Sequence, residues 1–132
     1  MKTILLSLLL TVLTLGLSHA ATPGAPEPQY VYRAELVRVI DGNTVIMNID
    51  LGFKVWLHDE VLRLDKGTAP EVKGPQKAEG QKWKTALEDL LTGKELIIET
   101  KKEKSGAWPG VRFLATIWAN GEKVNETLAK AV

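Results

Sequence analysis

Hydrophobic and polar positions alternate along much of this chain, and the rhythm changes from place to place. Residues 4–17 are almost wholly apolar, follow Lys2, and are succeeded by Ser18-His19-Ala20, small residues of the kind a signal peptidase accepts. This reads as a cleaved secretory signal covering residues 1–20. A membrane anchor is the rival reading, although the run is slightly shorter than the roughly 18–20 residues a spanning helix needs. Residues 21–29 (ATPGAPEPQ) hold three prolines and no periodicity, which predicts a flexible leader. A folded domain is then expected over residues 30–132.

Within that domain, β-branched residues with partial alternation predict strands over 30–40 and 44–49, joined at Asp41-Gly42-Asn43 as a hairpin. A second turn at Leu51-Gly52-Phe53 leads to a third apolar stretch, 55–64, with a break at His58-Asp59-Glu60 as one option. Pro75 suits the first turn of a helix. Trp83, Ala86, Leu87, Leu90 and Leu91 then fall on one helical face that Gly93 closes. Short strands at 95–100 and 113–118 follow, separated by a polar loop over 101–110. Asn120-Gly121 is a turn, and residues 124–131 are a last short helix. Three strands, a helix, two strands and a helix form an α+β pattern with the connectivity of a five-stranded OB-fold barrel.

Composition narrows the classes. No cysteine is present, so a disulfide-stapled miniprotein and a lipid-modified lipoprotein are excluded. The chain carries 17 basic and 16 acidic residues. Loss of residues 1–20 removes Lys2 and His19, which leaves a formally neutral chain whose sole histidine is His58. One histidine cannot build a structural zinc module, and a neutral chain is not a DNA-coating protein.

Three segments carry a resemblance. They are Val39-Ile40-Asp41-Gly42-Asn43-Thr44-Val45; Arg63-Leu64 followed by Ala69-Pro70-Glu71; and Arg112 followed by Ala115, Ile117, Asn120-Gly121 and Val124-Asn125-Glu126. In order and spacing they resemble the thermonuclease (staphylococcal nuclease-like) family of calcium-dependent secreted nucleases, whose motifs run V-I-D-G-D-T, R-L-x-G-I-D-A-P-E and G-R-x-L-A-x-I-x-x-x-G-x-x-V-N-E. The resemblance implies an OB-fold barrel with one calcium site. It also implies that Arg63 and Arg112 hold the scissile phosphate while Glu71 activates or orients water. The chemistry is coherent: guanidinium forks match the oxygens that gain charge in the transition state, and a carboxylate can take a proton from the nucleophile. Taken singly, each of the three is also an ordinary surface charge.

The metal ligands depart from the family pattern. Asn43 and Thr68 stand where the family has carboxylates, so calcium held by Asp41, Asn43 and Thr68 should bind weakly. Asp65 is a candidate substitute ligand if the strand continues past Arg63, with pairing to Arg63 or Lys66 as the alternative. Lys66-Gly67 replaces the family's Gly-Ile, which allows a different loop shape.

Trp108 is a candidate for stacking on a base or for covering the barrel rim. Lys101, Lys102 and Lys104 either steer a polyanion or are solvated loop charges. His58 reads as a turn residue, and the glycosylation-like Asn125-Glu126-Thr127 as a helix start. The expected function is a secreted or periplasmic phosphodiesterase, an endonuclease of weak activity on single-stranded DNA or RNA, monomeric and free of the membrane once the signal is cut. The rival is a degenerate OB module that binds single-stranded nucleic acid or a protein without cleaving anything.

Overall fold

The computed structural model describes residues 24–67, 69–103 and 113–132. Strand β1 (Val31–Asp41), β2 (Thr44–Asp50) and β3 (Trp56–Leu64) form an antiparallel meander. Helix α1 (Lys77–Leu91) follows, preceded by a 3₁₀ turn, Gly74–Gln76, in which Pro75 occupies the position that tolerates a missing N–H. Strand β4 (Leu96–Lys102) pairs antiparallel with β1 and with β5 (Phe113–Ala119). The parallel pairing of β3 with β5, Leu62 to Phe113 and Arg63 to Leu114, closes the sheet into a five-stranded barrel of OB-like topology.

Alternation explains which side chains fill this barrel. Val45, Met47 and Ile49 of β2, Leu62 and Leu64 of β3, and Ile98, Ala115 and Ile117 of β4 and β5 are buried at every second position. Leu87 and Leu91 of α1 join them, while Trp83, Ala86 and Leu90 cover the same core at its edge. Burial of each large apolar side chain is worth about 1.5–3 kcal/mol. The helix ends as its composition predicts: the Thr92 N–H donates to the Glu88 carbonyl at 2.9 Å, and Gly93 takes a left-handed φ of 71°.

Three local features differ from expectation. Strand β3 runs unbroken through His58-Asp59-Glu60, because a bulge absorbs the irregularity. Asp59 adopts a φ of 57°, its N–H donates to Asn48 Oδ1 at 3.0 Å, and the β2–β3 register shifts between Met47 and Ile49.

A two-residue strand, β6 (Glu122–Lys123), folds back on β5. Asn120 and Gly121 both take positive φ, the geometry that a two-residue hairpin turn needs. The terminal helix α2 is a single α turn, Val124–Thr127, continued by a 3₁₀ turn over Leu128–Lys130. Residues 25–29 are exposed and have no regular structure. Among the described residues, no helix is long and apolar enough to cross a membrane.

Candidate functional site

The β1–β2 turn is built by its own side chains. Asp41 Oδ1 accepts from the Asn43 N–H at 2.9 Å, and Asn43 Oδ1 accepts from the Thr44 hydroxyl at 3.0 Å. The Asn43 carbonyl then accepts from the Leu64 N–H at 2.8 Å. That bond and the Thr44–Arg63 register bring the end of β3 alongside the turn.

Past Leu64 the chain leaves the sheet, and residues 69–71 of the following loop lie between this turn and helix α1. Two glycines permit the passage. A Cβ on Gly42 would lie 2.6 Å from Trp83 Cβ and 2.7 Å from Ala69 Cβ. A Cβ on Gly80, inside α1, would strike the Glu71 carbonyl and lie 2.8 Å from the Val72 nitrogen. Backbone therefore sits directly against backbone where Glu71 is presented.

The outcome is a concavity of about 440 Å³ at one end of the barrel, lined by Asp41, Asn43, Thr44, Arg63, Ala69, Pro70 and Glu71. Asp41, Asn43 and Arg63 are half-buried, whereas Glu71 is exposed at the mouth. Arg63 makes no ion pair within 4 Å among the described residues. The site thus offers a guanidinium and two carboxylates, one of them water-accessible, in one hollow, which suits a polar, hydrated ligand better than an apolar one.

Four expected site residues, Thr68, Lys104, Trp108 and Arg112, lie outside the described residues. Strand β5 begins one residue after Arg112, at Phe113 in register with Leu62.

Asp65 is placed elsewhere. Strand β3 ends at Leu64, so alternation no longer aims residue 65 to the face of Arg63. The Asp65 carboxylate instead meets Lys101 Nζ at 2.6 Å and borders a separate depression with Lys66, Thr116, Lys123, Asn125 and Glu126. The partner is therefore Lys101, neither Arg63 nor Lys66, and Lys101 and Lys102 belong to β4 rather than to the loop in which they were expected. Lys102 is exposed at the end of β4. In that depression, a hydrogen bond from Lys123 at 2.9 Å holds the Glu126 carboxyl below its ordinary range.

Asn125 has a structural role that its motif did not disclose. Its Nδ2 donates to the carbonyls of Asp65 at 3.1 Å and Ala115 at 3.0 Å, and its Oδ1 accepts from the Ile117 N–H at 2.8 Å. One side chain thereby ties α2, β5 and the start of the Glu71 loop together. For Gly80 the sequence signal was present, since a glycine inside a helical pattern marks close approach, whereas the partners of Asn125 emerge only from the fold.

For a hard cation the donors are of the right kind but few. The concavity offers two carboxylates, one amide oxygen and one hydroxyl. No group of three or more His, Cys, Asp or Glu side chains suited to a metal occurs among the described residues. Compared with models of known protein families the chain matches none, and no curated protein sequence matches it.

Proposed function

We propose that this protein is a weak phosphodiesterase of the thermonuclease type, cleaving single-stranded DNA or RNA outside the cytoplasm as a monomer. The observation that carries the reading is that Arg63 and Glu71 line one concavity with Asp41 and Asn43. Arg63, Glu71 and Asp41 are positions at which the sequence resembles the family, and Asn43 is one at which it departs.

In this mechanism Arg63 binds a phosphoryl oxygen, and Arg112 would supply the second guanidinium. A water held by the Glu71 carboxylate attacks phosphorus, and its proton passes to Glu71. The bond to the leaving ester oxygen breaks, and that oxygen takes up a proton from solvent. The equatorial oxygens gain charge as this happens, and a fixed guanidinium stabilises them more in the transition state than in the ground state. Asp41, Asn43 and Thr68 are the residues that would hold calcium, which when bound supplies positive charge to a phosphoryl oxygen. With one formal carboxylate among them, they would hold it weakly.

The test is cleavage of denatured DNA by the purified protein across a calcium series, beside Glu71→Gln. Loss of general-base assistance predicts a fall of about 10²- to 10⁴-fold in the variant, with folding unchanged. Digestion equal to wild type would refute the role of Glu71.

The second reading is an OB module that binds single strands or a protein without cleaving. It is favoured by Asn43, whose amide oxygen is engaged by Thr44, and by the shortage of carboxylates. Binding that weakens steeply with salt, without any cleavage, is its signature.

A further inference from the structure

The chain turns sharply where it leaves β3 for the loop that carries Glu71. Gly67 N–H donates to the Leu64 carbonyl at 3.1 Å, which closes a four-residue turn with Asp65 and Lys66 at its corner. Lys66 takes a φ of 58°, a left-handed conformation that is costly for a lysine. The turn is packed against the hollow: a Cβ on Gly67 would lie 3.3 Å from Asn43 Cβ, and Leu64 N–H donates to the Asn43 carbonyl at 2.8 Å. A shift of this corner therefore moves the Asn43 side of the hollow and the start of the segment that leads to Glu71.

A strained corner keeps its shape only where its surroundings over-determine it, and Asp65 is the point at which they do. Its N–H donates to the Ala115 carbonyl at 2.9 Å, its carbonyl accepts from Asn125 Nδ2 at 3.1 Å, and its carboxylate meets Lys101 Nζ at 2.6 Å. The first two bonds use backbone atoms and are open to any residue except proline. The third requires the aspartate. Its side chain is only 19 % exposed, so water replaces a lost cation poorly, and the short contact is that of a charge-assisted bond. Register brings Lys101 within reach: it stands opposite Leu114, next to the Ala115 that accepts from Asp65. The other cations bordering this depression are placed differently, since Lys123 is engaged by Glu126 at 2.9 Å and Lys66 is exposed.

We propose that Asp65 is a positioning residue: its ion pair with Lys101 clamps the turn after β3 to β4 and so holds Glu71 and Asn43 in place beside Arg63. Arg63 belongs to β3 and is placed by the sheet, whereas Glu71 lies on the loop beyond the turn. Loosening the clamp displaces the carboxylate that handles water and leaves the guanidinium that binds phosphate. The catalytic weight of the pair rests on the phosphodiesterase reading, in which Glu71 takes a proton from the nucleophile.

The test follows backbone amide signals and cleavage of denatured DNA in Asp65→Asn, Lys101→Met, their double variant and Lys101→Arg. The Lys101 side chain is more than half exposed, so its variants keep the fold. Asp65→Asn and Lys101→Met are expected to shift the amide signals of Asn43, Ala69 and Glu71, and to lower kcat about 10- to 100-fold with KM unchanged. The double variant should be no worse than either single one, and Lys101→Arg, which keeps the charge, should match wild type. Lys123→Met removes a cation from the same depression and should leave those signals in place. Unmoved signals of Asn43, Ala69 and Glu71 in both single variants would overturn the proposal whether or not DNA is cut, as would equal shifts in Lys123→Met or Lys101→Arg. Full cleavage by Asp65→Asn beside loss in Glu71→Gln would refute the positioning role and leave the phosphodiesterase reading standing. A wild type that does not cleave would refute that reading instead, and the amide signals would still decide the clamp.

Discussion

Gly80 decides where Glu71 sits, although nothing about its own chemistry is reactive. In an exposed helix, replacing glycine by alanine stabilises by about 1 kcal/mol. Here the added methyl would strike the Glu71 carbonyl, and overpacking against fixed backbone costs about 1–3 kcal/mol. The steric cost exceeds the propensity gain, so Gly80→Ala should melt lower than wild type and cleave more slowly. Calorimetry with a cleavage assay checks both, and a higher melting temperature with unaltered cleavage would show that the loop does not lean on the helix. Gly42 is the same kind of residue on the other side of the loop, wedged between Trp83 and Ala69.

Among the elements, the loop over 65–73 is held from three directions: by α1 through Gly80, by the β1–β2 turn through Asn43 and Gly42, and by α2 through Asn125. Asn125→Ala removes the acceptor of Ile117 N–H and the donor to two carbonyls at once. The Ala115 carbonyl keeps its bond from the Asp65 N–H, but the Ile117 N–H loses its acceptor, and a buried polar group left without a partner costs about 1–3 kcal/mol, so a lower urea midpoint is expected. Asn125→Asp should not rescue it, since a carboxylate oxygen would face the Asp65 and Ala115 carbonyls. A midpoint within error of wild type for either variant would remove Asn125 from its bracing role. Nδ2 is committed to these bonds, which fits a helix-start reading of Asn125-Glu126-Thr127 better than a glycan site.

The five barrel strands were legible to within a residue or two because alternation is a local signal, while the two-residue β6 was too short to show one. The β3 bulge was not, since a left-handed Asp59 breaks a period of two in the way a true strand end does. Asp41, Asn43, Arg63 and Glu71 were legible as a set through the motif spacing. The Asp65–Lys101 pair was not, because two charges far apart along the chain carry no mutual pattern until β5 sets Asp65 N–H on Ala115 and Lys101 opposite Leu114.

At the scale of the whole molecule, the parallel β3–β5 pairing closes the barrel and gives it two unlike ends. One end holds the polar hollow with Arg63 and Glu71; the other holds the exposed apolar tip with Phe53. The central claim is that the hollow is where phosphodiester binds. It is tested most directly by two-dimensional amide NMR, titrating the protein with a short single-stranded oligonucleotide whose linkages resist hydrolysis. The account predicts that the largest shift changes fall on Asp41–Thr44, Arg63 and residues 69–71, and weaken as salt is raised. Changes confined to the Phe53 tip or to the Lys123–Glu126 depression, with the hollow silent, would contradict it.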